Sequence, residues 1–195
     1  MTDRETLQVY EAKAADYAAL GITETQITAL DSFLARLPSG GEILDVGCGP
    51  GLHAAYMMER GFTLHAIEPS PAFRAEAQAR GVDAREGSFD DITQTAAFDG
   101  IWASFCLLHA KRAELPGHLQ AMARALRPGG TLFVGMKTGQ GETRDRLGRF
   151  YIYVTDAELT AMIEATGLTV TSRVTGAETG LDGTVAPYIL MTAHA

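Results

Sequence analysis

The chain is short of several features that mark specialised proteins. Its 195 residues hold two cysteines, Cys48 and Cys106. They lie far apart and form no CxxC pair, which argues against a disulfide framework and for a reducing compartment, by default the cytoplasm. No apolar run approaches the ~18 residues of a membrane span. The first residues, Met1-Thr2-Asp3-Arg4-Glu5-Thr6, are charged and polar, so neither a signal peptide nor a membrane anchor is expected. Basic residues are scarce too: Lys and Arg number 16 against 24 Asp and Glu, a formal charge of −8. Such a surface repels a phosphate backbone, which makes nucleic acid an unexpected partner and a small molecule the expected one. Internal repeats, linkers and low-complexity tracts are absent, and oligomeric state is not legible.

What is present is a core-forming composition, 46% hydrophobic over a length that buries about 70% of its unfolded surface. One domain, 1–195, is expected. It is organised around Ile43-Leu44-Asp45-Val46-Gly47-Cys48-Gly49-Pro50-Gly51. Residues 43–46 read as a buried strand, an apolar run bounded by Gly and Pro. Glycine at every second position then allows a sharp turn and lets a ligand lie on the backbone. From 52 to 60 the pattern is helical, which aims the free N–H groups of a first turn at that ligand.

Spacing narrows the ligand. A dinucleotide fingerprint reads G-x-G-x-x-G, whereas here an acid precedes a tighter series, Asp45-x-Gly47-x-Gly49-x-Gly51. A P-loop would need Lys-Ser or Lys-Thr after the glycines, and none follows. An acid ending the next strand, about 20 residues on, would accept both hydroxyls of a ribose. Glu68 ends 62–67 there, followed by Pro69-Ser70-Pro71, a helix start with Ser as N-cap and Pro at the first helical position. These residues, with the Leu126-Arg127-Pro128-Gly129-Gly130 turn, resemble the motifs of the class I S-adenosylmethionine-dependent methyltransferases.

The resemblance covers about residues 8–195. It implies a doubly wound, Rossmann-like α/β fold: a mostly parallel seven-stranded sheet in order 3-2-1-4-5-7-6, its last strand antiparallel, with helices on both faces. It also implies S-adenosylmethionine as cofactor and S-adenosylhomocysteine as product. By the same resemblance Asp45 and the turn Gly47, Cys48, Gly49 and Gly51 hold the methionine part through backbone N–H groups. Glu68 and Pro69 take the ribose, and Ser88, Phe89 and Asp90 the adenine. Which of Ser88, Asp90 and Asp91 meets the adenine amino group stays open; Asp90 and Asp91 equally suit a helix N-terminus.

The remaining chain reads in short units. Residues 3–20 form a helix with Tyr10, Ala14 and Tyr17 on one face. In relatives such a helix covers the cofactor, which would place Tyr17 on the cofactor and Tyr10 near the acceptor; core packing is the plain alternative. A second helix spans 24–37, and residues 1–38 together form the cover. A short third strand runs over 82–86, a fourth over 98–104 ending at Ser104, and 105–109 is the loop at its carboxyl end, where a ligand crevice lies. His109 in that loop is the candidate general base, with a structural histidine as its rival. Cys106-x-x-His109 is half a metal site at best, and no metal is expected.

A helical stripe from Leu115 to Leu126 precedes a fifth strand, 131–136. Residues 137–152 carry four cations in an irregular run and read as an acceptor-site loop. In it Arg144, Arg146 or Arg149, with Tyr151, would hold an anionic group, or else the run is a solvated loop neutralising Glu142 and Asp145. A capping box at Thr155 opens a last helix. Strands 168–174 and 188–193 close the chain as an antiparallel pair, the last beginning after Pro187.

The expected activity is transfer of a methyl group to a small-molecule acceptor by in-line displacement. A non-catalytic binding module with the same fold is one rival, and an NAD-dependent oxidoreductase another. Glycine spacing and the terminal hairpin count against the second. Ser104-Phe105-Cys106-Leu107 stands where an Asn-Pro-Pro-Tyr type motif would mark methylation of nucleobase amines.

Overall fold

A computed structural model describes residues 3–195. Its helices are α1 (Arg4–Ala12), α2 (Ala14–Ala18), α3 (Glu24–Leu34), α4 (Leu52–Glu59), α5 (Pro71–Ala79), α6 (Leu115–Ala125) and α7 (Asp156–Glu164). Its strands are β1 (Glu42–Val46), β2 (Thr63–Ile67), β3 (Ala84–Arg85), β4 (Phe98–Ser104), β5 (Leu126–Lys137), β6 (Glu142–Arg144), β7 (Phe150–Ile152), β8 (Thr169–Thr179) and β9 (Val185–His194). Seven strands form one sheet in the order β3-β2-β1-β4-β5-β9-β8, and β6 and β7 form a separate antiparallel hairpin. The five strands from β3 to β5 pair in parallel, and β9 runs antiparallel to both neighbours. With the hairpin set aside, this is the expected order.

Central strands lie between helical layers, so their apolar runs are buried on both faces. Trp102 of β4 stacks on Phe133, its register partner in β5, with centroids 3.7 Å apart, and Phe33 of α3 packs edge-on against both rings. Leu30, Phe33 and Leu34 form the buried stripe of α3, a turn shorter than the spacing suggests; the chain leaves the helix before Leu37. No helix among the described residues is long and apolar enough to cross a membrane.

Other differences have local causes. The N-terminal helix is two helices, because Lys13 (φ −115°, ψ 11°) steps out of helical geometry. The break lets Tyr10 and Tyr17 both turn inward, their rings 6.0 Å apart. β5 starts at Leu126, which pairs with Phe98; the Pro-Gly-Gly segment then bulges before the ladder resumes at Thr131. Segment 137–152 contains the β6–β7 hairpin, whose three-residue strands are too short to show a period. β9 begins before Pro187, not after it. Pro187 sits opposite Ala177 of β8 while its carbonyl meets Thr138 N, so its missing N–H faces the side where the β5 ladder has already ended, and no bond is lost.

Candidate functional site

A cavity of about 360 Å³ opens at the carboxyl ends of β1, β4 and β5, within the size range of small-molecule sites. One end is built by the glycine turn. Gly47, Gly49 and Gly51 all have positive φ, at 65°, 56° and 79°. Two of them are also required by packing. A Cβ on Gly47 would lie 2.7 Å from Cys106 Cβ, and one on Gly51 would lie 2.9 Å from Ala77 Cα and Cβ. Gly51 thus seats α4 on α5 and does not line the cavity, which departs from the ligand contact expected for it.

The turn's amides are not free either. Gly47 N and Cys48 N both donate to Ile67 O, at 2.9 and 3.2 Å, and Gly51 N donates to Cys48 O. Gly49 N donates to Glu68 Oε2 at 2.9 Å, and Ser70 N donates to Glu68 Oε1 at 2.9 Å. The turn's own donors are spent inside the protein. What this end offers is acceptors. Each Glu68 oxygen keeps a lone-pair direction after one N–H bond, and Asp45 Oδ2, fully buried, has no hydrogen-bond partner. Burial and then the Glu68 charge push the Asp45 carboxyl up to about 8, and burial also raises Glu68. Nearby Arg74 offsets only part of the rise in Glu68 and makes no ion pair with it: its Nη1 donates to the backbone carbonyls of Glu68 and Pro69.

Pro69, Ser88, Phe89, Ser104 and Tyr17 all line the cavity, with Cys48 and Gly49. Asp90 does not: it is exposed and lies outside the lining. Asp91 closes a capping box with Ser88, its Oδ2 accepting from Ser88 N at 2.8 Å, which gives it a structural job. Phe105 follows β4 with φ +54°, an uncommon conformation for an aromatic residue, and faces the cavity.

The other end is a closed polar chain. His109 Nδ1 lies 2.6 Å from Phe150 O, and a carbonyl only accepts, so Nδ1 carries the proton. Neutral His109 then accepts through Nε2 from the Tyr10 hydroxyl at 2.8 Å. Arg149 Nη1 donates to the same hydroxyl at 3.2 Å. Arg149 is buried and holds Asp145 through Nε and Nη2, at 2.8 and 2.6 Å from Oδ2. The Tyr151 and His109 rings pack with centroids 4.7 Å apart. Burial lowers His109 to about 4, so the ring is neutral at pH 7.

Of the three arginines, the fold brings only Arg149 to the cavity. Arg144 lies on the surface, its guanidinium 2.9 Å from both Asp3 oxygens and 3.2 Å from Glu5. Arg146 is exposed. Several lining residues were not singled out by sequence: His53, which accepts from Trp102 Nε1 through Nδ1 at 3.2 Å, Phe73, Phe105, Lys137, and Glu178 to Leu181 at the end of β8 and the start of the turn after it. Lys137 had a signal, as the last residue of a central strand at the ligand-bearing edge. The β8–β9 turn had none beyond its glycines.

Strand order, glycine turn and the acid after β2 define a class of protein, the class I S-adenosylmethionine-dependent methyltransferase fold. Residues 43–130 match the family model described as "Methyltransferase domain". It is 36% identical over 114 residues to a ubiquinone biosynthesis O-methyltransferase of Xanthomonas oryzae pv. oryzae, covering 54% of this chain and 47% of that one. The chain thus spans about half the length of the curated relatives it matches. In structure it is similar to the 1,6-didemethyltoxoflavin-N1-methyltransferase of Burkholderia thailandensis, solved with 1,6-didemethyltoxoflavin and S-adenosylhomocysteine (TM-score 0.76, 22% identity, 97% of this chain and 87% of that one). It is also similar to the [4+2]-cyclase SpnF (TM-score 0.72, 18% identity, 96% and 93%). A neighbour named as a cyclase shows that the fold alone does not set the reaction.

Proposed function

We propose that the chain binds S-adenosylmethionine and directs its methyl group to a small-molecule acceptor. The observation that carries this is the acceptor capacity left on Glu68 and Asp45 where the turn's own amides are spent. A dinucleotide brings a pyrophosphate, which needs N–H donors, and here the turn's own amides are spent and two carboxyl groups line the cavity. S-adenosylmethionine brings cations and ribose hydroxyls, which match the unpartnered Asp45 oxygen and the free lone pairs of Glu68. The named activities of the matched relatives support the same reading.

In this reading Asp45 faces the cationic methionine part, Glu68 and Pro69 the ribose, and Ser88 and Phe89 the adenine, with Cys48, Gly49, Tyr17 and Ser104 completing the wall. When bound, that cofactor supplies an electrophilic methyl group on a positively charged sulfur. The protein's own contribution is mainly orientation and exclusion of water. The rings of Tyr10, Tyr17 and Phe73 close together over the cavity, with centroids 5.5 to 6.0 Å apart. Proximity of this kind supplies up to about 7–11 kcal/mol in favourable cases. His109 receives a proton only through Tyr10, which gives its own hydroxyl proton to Nε2 as it takes one from an acceptor; a pKa near 4 makes this a weak base.

The same proposal treats the chain as one unit, with the N-terminal helices over the cofactor side and 137–152 beside the acceptor. It places the protein in the cytoplasm, supported by two free cysteines, and gives it no nucleic-acid partner, supported by its charge of −8. Calorimetric titration with S-adenosylmethionine, S-adenosylhomocysteine and NAD tests the cofactor. Micromolar binding of the sulfur ligands alone is expected; NAD binding, or none by the sulfur ligands, overturns it.

A further inference from the structure

Lys137 ends β5 inside the cavity without a polar partner. Its Nζ sits 4.4 Å above the Tyr151 ring centroid, and among the described residues it makes no ion pair and no hydrogen bond. Burial lowers its pKa, and the Arg149 charge adds to that. None of the carboxylates around it makes an ion pair or a hydrogen bond with it, although the charges of Asp182, Asp145 and Glu178 offset part of that lowering. Asp145 is bound to Arg149, and Asp182 accepts from Thr184 N. Glu178 lines the cavity with its pKa raised by burial. A half-buried ammonium with no anion in contact is costly unless something else supplies one.

What supplies it is set by the shape of the donor. A carboxylate is matched by an arginine fork, and the fork here, Arg149, is already paired in charge with Asp145, through a hydrogen bond from Nε and a close approach of Nη2 that is not itself a hydrogen bond. Lysine is a point charge and suits a single oxygen. The wall around that point is aromatic, with Tyr151 beneath Nζ and Tyr10 and Phe105 lining the same cavity. Flat rings favour a flat guest.

We propose that the acceptor is a planar ring bearing an acidic hydroxyl, and that Lys137 binds this hydroxyl as its oxyanion. This rests on the methyl-transfer reading and deepens it. An oxygen held ionised has no proton to lose, so the Tyr10–His109 pair need not act as a base toward it and serves to position the ring.

The test uses 4-nitrophenol, whose ionised form is coloured, with the full chain saturated in S-adenosylhomocysteine so that nothing turns over. Bound probe should ionise at lower pH than free probe, with the phenolate favoured about tenfold, the effect of one charge-assisted contact. Lys137→Met should bind S-adenosylhomocysteine as the parent does, yet lose the colour shift and about tenfold in probe affinity. Lys137→Arg should restore part of the shift. Unshifted or absent nitrophenol binding by the parent, unchanged binding by Lys137→Met, or tighter binding of 4-nitrobenzoate than of 4-nitrophenol would each overturn the inference. Failure of the parent to bind S-adenosylhomocysteine is read separately, in the calorimeter, and removes the methyl-transfer reading together with what rests on it.

Discussion

The two ends of the cavity are opposites in construction and in charge. The glycine end comes from one stretch of chain and one residue beyond the next strand; its functional atoms are carboxylate oxygens with capacity left over. The far end is assembled from α1, the loop after β4, the end of β5, β7 and the β8–β9 turn. Its side chains are largely satisfied by one another, Arg149 on Asp145 and Tyr10, Tyr10 on His109, His109 on Phe150 O. The first end holds two buried carboxyl groups with acceptor capacity left over, while the second carries two cations, one of them without an ion pair. A ligand that is positive at one end and meets an electron-rich partner at the other fits that polarity.

The largest expected effect lies at the glycine end. Glu68→Ala removes two ligand-facing oxygens and also strands Gly49 N and Ser70 N. Affinity for S-adenosylhomocysteine should fall by about 2–3 kcal/mol, the range for hydrogen bonds to a charged group. Calorimetry on the variant checks it, and an affinity equal to the parent's would break the assignment of this end to the cofactor.

The same contrast explains what could be read in advance. Asp45, the glycines and Glu68 were legible because one turn and one strand end bring them together, and a short sequence dictates a short turn. The strand order followed from the same motifs. Tyr10, His109, Arg149 and Tyr151 were picked individually, but their mutual bonding depends on contacts between residues more than 40 positions apart in most pairs, such as Tyr10 with His109 at a separation of 99. Arg144 and Arg149 look alike in sequence. A tight turn between β6 and β7, with Asp145 accepting from Leu147 N and Arg149 N, sends the second inward and leaves the first on the surface. Asp90 lies outside the cavity lining for a similar reason: the capping box uses Asp91, and its neighbour is exposed.

Acid–base behaviour should separate the two ends by sign. Asp45 is pushed up from 3.8 to about 8, so the native state holds its proton more tightly than the unfolded chain does. Its contribution to stability is complete below about pH 4 and is lost as pH climbs through about 8. His109 moves the other way, from 6.5 to about 4, so its contribution is present above about pH 6.5 and is lost as pH falls through about 4. Asp45→Asn should therefore match the parent in thermal stability near pH 4 but exceed it near pH 8 by more than about 1 kcal/mol, the value of a one-unit shift. His109→Gln should flatten the acid limb only. If both variants altered the same limb, the two ends would not be electrostatically independent.

The smallest effect is expected from a residue that looks as much like a ligand clamp in sequence as Arg149 does. Arg144 grips Asp3 with both terminal nitrogens and donates to Gly148 O, which ties the start of α1 to the β6–β7 turn. Yet the pair is exposed, where water and salt screen it and two side chains must be ordered to hold it. A buried bond already pins the same helix: Thr6, fully buried, accepts from Phe150 N at 2.8 Å. Arg144→Ala should leave cofactor affinity and acceptor KM within about twofold of the parent, since exposed pairs contribute little. Measured beside Arg149→Ala, it asks whether cation count or cation placement matters in this segment. A large rise in KM for Arg144→Ala alone would mean that α1 is held over the cavity from the surface and not by the buried Thr6, Tyr10 and Arg149 contacts, and the division into an end with acceptor capacity left over and a self-satisfied end would have to be redrawn.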